Sequence, residues 1–414
     1  MAEPLQILWY IRHNDGPCPW VPEGTYPEDQ NRINELARTI DELGFYGALV
    51  VGDSPFIEIA SFIPITRRMR FLIPIYPGSY PPATLVMQAK MFDQLSSGRL
   101  LFNQVNGTDL ILPQFGIDVP SDQRYALSAE YWSVFKQLYA GEIGAHEGKY
   151  FRFGPPPPRR ANRSAARLVQ DPHTPVWGTG SSPAGIEHAG KVLDAFLTYL
   201  HRPDRLGAQI ASARAVAARH GRALRVGTLA NIIVRETEEE AWTHAQWLLE
   251  QTGAERLARL VDERLGMGRY NKATGSREGG TFATVRSDDP KIQSRIDALR
   301  AGRLPDLRSL ESHPNIWSGP NGPRFDILDL GWGAYLVGSA ENVAARIREL
   351  QRDLGLDIFI FMGFPLIEEA RNVARLLLPL LDLDQSPPVL AEERLFGEFT
   401  TLSGATQAAV AASA

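Results

Sequence analysis

The stretch Thr174-Pro175-Val176-Trp177-Gly178-Thr179-Gly180-Ser181-Ser182-Pro183 puts a glycine turn and two hydroxyls where a short apolar strand gives way to a helix. Ser181 or Ser182 suits the N-cap, because a side-chain oxygen there accepts from a first-turn N–H. Pro183 suits the first helical position, where its missing N–H costs nothing. The other first-turn N–H groups have no intrahelical partner and face outward at the positive end of the helix dipole, so a phosphate fits there. Alone, these residues also describe an ordinary capped turn. Other polar groups keep them company. Arg12, His13 and Asn14 follow one apolar run, Asp53 a second, Asn106 and Asp109 a third, and His201 and Arg202 a fourth. Taken singly, each also reads as a solvated loop residue. Together, beyond parallel strands, they would crowd one rim.

Several chemistries are excluded by what is missing. The eight histidines show no pair at ligand spacing with a carboxylate between, so no metal site is expected. No Gly-x-Ser-x-Gly elbow supports an acyl-transfer hydrolase. Cys18 is the only cysteine, which leaves neither an internal disulfide nor a cysteine cluster and suits a reducing cytoplasm. An organic cofactor that carries the difficult chemistry is the most economical reading.

The elements that must position these groups follow from the hydrophobic pattern. Short apolar runs at 5–11, 46–51, 71–75, 100–105, around Val176, and at 193–199, 225–234 and 357–362 suit parallel strands buried on both faces. Helical patterns lie between them: 31–43, 53–63, 81–95, 124–139, 183–190, 203–220 and 236–251, with 339–354 and 365–381 flanking the last strand. The alternation breaks near Thr252, and the chain to Pro323 is polar, with Gly275, Gly279 and Gly280 beside Arg277 and Arg286. Eight βα units predict an α/β fold, a (β/α)8 TIM barrel with a long insertion between strands seven and eight. One domain is expected over 1–384, with 252–323 as a lid-like insertion and 385–414 as a low-complexity tail. A doubly wound sheet is the alternative; the absence of a glycine fingerprint after the first strand weakens it. The 414 residues are 44% apolar and 22% charged with a formal net charge of −5, which supports a large core and argues against nucleic acid or an anionic membrane as partner. No run of about 20 apolar residues suggests a membrane span.

Six segments carry a resemblance: 88–108 (QAKMFDQLSSGRLLFNQVNGT), 124–131 (RYALSAEY), 177–183 (WGTGSSP), 232–242 (IIVRETEEEAW), 314–319 (PNIWSG) and 335–346 (YLVGSAENVAAR). In this order the chain resembles the bacterial luciferase-like, reduced-flavin-dependent monooxygenases, and within them the alkanesulfonate monooxygenases. The resemblance implies FMN on the C-terminal face of the barrel, with Ser181 and Ser182 on its phosphate, Gly180 in the turn, Tyr125 close by and Asn106 beside the ring. It also implies an NAD(P)H-dependent flavin reductase as the source of reduced FMN, and a homodimer or higher homo-oligomer. Dioxygen (O2) would be activated on the reduced ring, a sulfonate carbon oxygenated, sulfite released and an aldehyde left. The insertion would exclude water as a lid, its arginines pairing with the anionic substrate.

The likeness has departures. Alkanesulfonate monooxygenases carry Arg and His in strand seven, where this chain has Leu229 and Asn231, and Tyr and His after strand eight, where it has Phe364 and Leu366. Their cysteine beyond strand two falls in a loop that is shorter here. His13, His201, Arg202 and Arg324 are left as catalytic candidates, with Tyr76 as a further polar one. Overall likeness, including Tyr-Ile-Arg-His and Gly-Thr-Leu-Ala-Asn, points to the sulfoquinovose monooxygenase branch. The alternatives are the same chemistry on an alkanesulfonate, a sulfone, an aminopolycarboxylate or an alkane, and a flavin-binding protein that has lost catalysis. Ser181→Asp is expected to weaken FMN binding, since like charge would face the phosphate; an unchanged affinity in a fluorescence titration would remove the turn from the cofactor site.

Overall fold

Each predicted apolar run forms a strand, and the eight strands close. The computed structural model describes residues 3–107, 111–155, 169–266, 281–322 and 324–388, and the backbone of 269–271 and 276–278. The strands are β1 (Gln6–Ile11), β2 (Gly47–Val50), β3 (Arg70–Ile75), β4 (Leu100–Gln104), β5 (Val176–Thr179), β6 (Ala195–Tyr199), β7 (Arg225–Arg235) and β8 (Ile358–Met362). They pair in parallel in chain order, and β8 returns to β1 with Gln6 opposite Ile358. The chain is therefore a TIM barrel, as its alternation predicts.

Alternate strand residues face the barrel interior, where Leu8, Leu49, Leu72, Leu101, Trp177, Leu197 and Ile360 form one apolar cluster. The opposite faces join the larger core beneath the helices. Outside lie α1 (Gln30–Glu42), α2 (Pro55–Phe62), α3 (Pro82–Ser96), α4 (Arg124–Ala140), α5 (Pro183–Val192), α6 (Pro203–Arg219), α7 (Glu238–Gly266), α8 (Pro290–Arg300), α9 (Ala340–Leu354) and α10 (Leu366–Leu376). Their starts obey the local rules. Asp29 caps α1 by accepting from Asn31 N–H at 2.9 Å, and Ser339 caps α9 through Asn342 N–H.

The chain differs from its sequence pattern after β7. The helix does not stop near Thr252 but continues to Gly266 across a break at Gly253, whose φ of 73° only glycine adopts readily. The stretch before α9 is not loop alone. Tyr335–Ser339 is a strand parallel to β7, extended by antiparallel Ile316–Trp317 and Glu311–His313. β7 has room for it because β6 ends at Tyr199 opposite Leu229, which leaves Asn231–Arg235 free on that edge. The last predicted helix ends at Leu376 and passes into a 3-10 turn at Leu378–Leu380. Of the tail, Gln385, Ser386 and Pro387 accept from Arg68 and Arg70; from 389 onward it lies outside the described residues.

Asp93 staples the N-terminal end of the barrel. Wholly buried on α3, it accepts from Leu100 N–H, Tyr139 Oη, Thr174 Oγ1 and Gln170 Nε2 at 2.9–3.2 Å. Burial pushes its carboxyl up to about 7, against the pull of those donors. A raised carboxyl binds its proton more firmly in the folded chain than in the unfolded one. The stabilisation is therefore present below the unfolded value of ~4 and is lost as pH rises through about 7. Urea unfolding across that window should show the advantage of wild type over Asp93→Asn shrinking as pH rises; a constant difference would mean that Asp93 does not titrate there.

Candidate functional site

The C-terminal mouth of the barrel is walled by the layer above the apolar one. Tyr10, Tyr199, Asn231 and Met362 stand two residues beyond Leu8, Leu197, Leu229 and Ile360, so strand alternation turns them inward as well. They enclose a cavity of about 100 Å³ together with Arg12, Asn321, Arg324 and Gly333. Arg324 is brought there by the segment before Tyr335–Ser339. Its Nη2 donates to Tyr199 Oη at 2.7 Å, and its guanidinium lies 4.1 Å from the centre of the Tyr199 ring. Asp326 fixes the same segment by accepting from the N–H groups of Leu330, Gly331 and Trp332. Burial raises the Asp326 carboxyl, and those donors oppose it. Burial likewise raises the Tyr10 phenol, with Arg12 pulling it back, so Tyr10 holds its proton at neutral pH. Among the described residues no lining residue is acidic, and the cavity offers two guanidinium groups, two phenols and two amides.

Beside the mouth, the turn after β5 is packed as tightly as backbone allows. A Cβ on Gly180 would stand 2.9 Å from Gly185 Cα, and a Cβ on Gly185 would stand 2.6 Å from Tyr125 Oη. Only glycine fits either position. Ser182 is the N-cap, accepting from Gly185 N–H at 3.1 Å, and Pro183 is the first helical residue. Ser181 and Ser182 are both exposed. The Tyr125 hydroxyl thus stands beside Gly185 in the first turn of α5, where Ser181 and Ser182 are exposed. That arrangement fits a phosphate, and it settles which serine caps.

Asn106 lies beyond β4, where its Oδ1 accepts from Gln104 Nε2 at 2.5 Å. Its Nδ2 is buried without a partner. Gln104 Oε1 is 3.1 Å from His188 Nε2, which is also 3.2 Å from Ser128 Oγ. Burial lowers the His188 imidazole to about 4, helped by Lys136, so it is neutral at physiological pH.

The other candidates are spread around the rim. His13 turns from the mouth to pair with Glu58 Oε1 at 3.0 Å. Burial raises the Glu58 carboxyl, which His13 partly offsets. His201 is buried against Gly331, and burial lowers its imidazole. Arg202, just before α6, makes two bonds to Asp204 in its first turn, at 3.1 and 3.0 Å, and is not among the cavity-lining residues. Tyr76 stacks on Phe115 at 5.1 Å. Leu229 and Asn231 line the mouth, whereas Phe364 packs edge-on against Trp20 and Leu366 opens α10 in the core with its N–H on Asp15. Asp109, Gly275, Gly279 and Gly280 and the Arg277 side chain lie outside the described residues, and Arg286 donates to its own neighbour Val285. The sequence reading missed Tyr10, Tyr199, Gln104, His188 and Asn321. For the two tyrosines the signal was present in strand alternation.

Residues 17–357 match the sequence profile of the luciferase-like monooxygenases. Among solved structures, the long-chain alkane monooxygenase LadA is similar at a TM-score of 0.69 and 17% identity, over 96% of this chain and 96% of that one. The EDTA monooxygenase EmoA from Chelativorans sp. BNC1 is similar at 0.63 and 16%, over 95% and 97%. The riboflavin lyase RcaE, solved with modified FMN and riboflavin, is similar at 0.67 and 16%, over 94% and 95%. At these identities the likeness speaks for a shared fold. Among the described residues no helix is long and apolar enough to cross a membrane.

Proposed function

Since the chain belongs to the luciferase-like monooxygenase family, we propose that it is a two-component enzyme that uses reduced FMN and O2 to oxygenate an organosulfonate, releasing sulfite and an aldehyde. The observation that carries this reading is the pair Arg12 and Arg324 on one mouth cavity, with no acidic wall residue among the described residues. A guanidinium fork matches the oxygens of a sulfonate, and each charge-assisted bond is stronger than a neutral one. Where the resembling enzymes place Arg on strand seven, this chain has Leu229. Here the cationic role passes to Arg324, held in place by Tyr199. Tyr10, Asn231 and Asn321 supply hydrogen-bonding groups beyond what a plain alkyl chain needs, which favours sulfoquinovose within the class.

The cofactor reading rests on the fit of the glycine turn. Ser181, Ser182, Gly180 and Tyr125 would hold the FMN phosphate, and Asn106 would meet the ring. Bound reduced FMN supplies the electrons that turn dioxygen into an oxygen donor. The chain's own residues do the rest. Arg12 and Arg324 orient the anion and stabilise sulfite as it leaves. Tyr10, kept protonated, donates a hydrogen bond to a substrate oxygen. The Asp326-pinned segment excludes water. His13 with Glu58 is the pair suited to moving a proton at the rim. An NAD(P)H-dependent flavin reductase delivers the reduced cofactor, and a homodimer is the assembly this reading favours.

The test supplies FMN, NADH and a flavin reductase and measures sulfite from a panel of sulfonates. Sulfite release is expected, fastest from sulfoquinovose, and none from any sulfonate overturns the reading. Oxygen uptake on alkanes, sulfones and aminopolycarboxylates separates the alternative substrates. Arg324→Gln should raise the KM for the sulfonate roughly tenfold or more, the scale of one charged hydrogen bond, with FMN affinity unchanged.

A further inference from the structure

We infer that His188, Gln104 and Ser128 form a buried relay that sets which way the Asn106 amide faces, so that its NH2 is presented to the ring of the flavin. This rests on the reading of the adjoining turn as a flavin site. An amide side chain fits its space nearly as well when flipped, so something must choose its orientation. For Asn106 the chooser is Gln104, whose Nε2 donates to Asn106 Oδ1 and turns Nδ2 the other way. That Nδ2 is buried with no partner, a donor waiting for an acceptor. The isoalloxazine ring offers carbonyl oxygens and ring nitrogens as acceptors.

Gln104 is itself an amide and needs its own reference. It sits at the end of β4, wholly buried, with Oε1 toward His188 Nε2. Neutral His188 carries one proton. On Nε2 that proton is donated to Gln104 Oε1 and shared with Ser128 Oγ. On Nδ1 it would be a buried N–H without an acceptor, since Nδ1 has no partner, and a buried donor left unmade is the costlier state. The Nε2 tautomer is therefore favoured, Gln104 turns its oxygen to it, and Asn106 turns its oxygen to Gln104. Gly178 clears the space, because a Cβ there would stand 2.9 Å from Gln104 O and 3.1 Å from its Cβ and Oε1. His188 also rides on α5, whose first turn is the glycine cradle. One helix thus places both the phosphate donors and the reference for the ring donor.

The experiment measures dissociation constants of oxidised FMN and of riboflavin by fluorescence quenching. Gln104→Leu and His188→Phe should weaken both flavins alike, roughly tenfold, the equivalent of ~1.4 kcal/mol, and leave the ratio of the two affinities unchanged. His188→Gln, which keeps an N–H toward Gln104, should recover most of the loss. Because the relay acts through Asn106, adding Gln104→Leu to Asn106→Ala should cost nothing further. Losses that multiply in the double variant, or that fall on FMN but spare riboflavin, overturn the relay, the second by showing that His188 merely props the phosphate turn. Unchanged affinity in Gln104→Leu also overturns it. Wild-type protein that binds neither flavin overturns the reading of the site itself.

Discussion

Leu229 is the last residue of β7 that β6 can reach, and the shape of the mouth follows from that limit. β7 runs on to Arg235, so its edge beyond Leu229 is a row of unpaired backbone groups. Tyr335–Ser339 takes up that edge in parallel register, Tyr335 opposite Asn231. To enter there the preceding chain must cross the top of the barrel, and Asn321, Arg324 and Gly333 are laid over the opening as a result. A backbone hydrogen-bonding requirement thereby brings the Arg324 guanidinium to the mouth.

The interior below makes that placement matter. The layer beneath the mouth is apolar, so charges set above it border a low-dielectric interior. Arg12 and Arg324 face the cavity with no carboxylate among the lining groups, while nearby acids are occupied elsewhere: Asp326 with three backbone N–H groups, Glu58 with His13. Among the described residues, the mouth is lined by guanidinium groups and no carboxylate. Phe364 and Leu366 tell the complementary story. Positions that are polar in the resembling enzymes have been given to packing against Trp20 and to the start of α10. Under the proposed function, the cationic groups at the mouth come from β1 and the segment that carries Arg324 rather than from the loop after β8.

The second centre of polarity, around Gly180 and Gly185, obeys a different constraint. There close backbone contact does the positioning, and side chains larger than hydrogen are shut out. Tyr125, Ser128 and His188 then fill the space between α4 and α5 and connect the turn to the end of β4. The serines of the turn and the Asn106 amide so belong to one packed block.

The amino-acid sequence by itself determined the eight strands, most helices and the capped turn after β5, because each is specified by neighbours a few residues apart. Continuous apolar runs mark buried parallel strands, Ser182 and Pro183 mark a helix start, and the break in the alternation marks the insertion. It stopped short near Gly253, where a glycine that could end a helix only bends one. Tertiary structure alone decided which polar groups meet. Gln104 and His188 are 84 residues apart, and Arg324 and Tyr199 are 125 apart. No periodicity links such pairs, since they become neighbours only through closure of the barrel and the overhang of β7. Likewise, His13 and Arg202 sit where the reading put them, beyond strands, yet turn to Glu58 and Asp204. A residue's place along a strand is a local matter, whereas the partner its side chain finds depends on what the fold brings within reach.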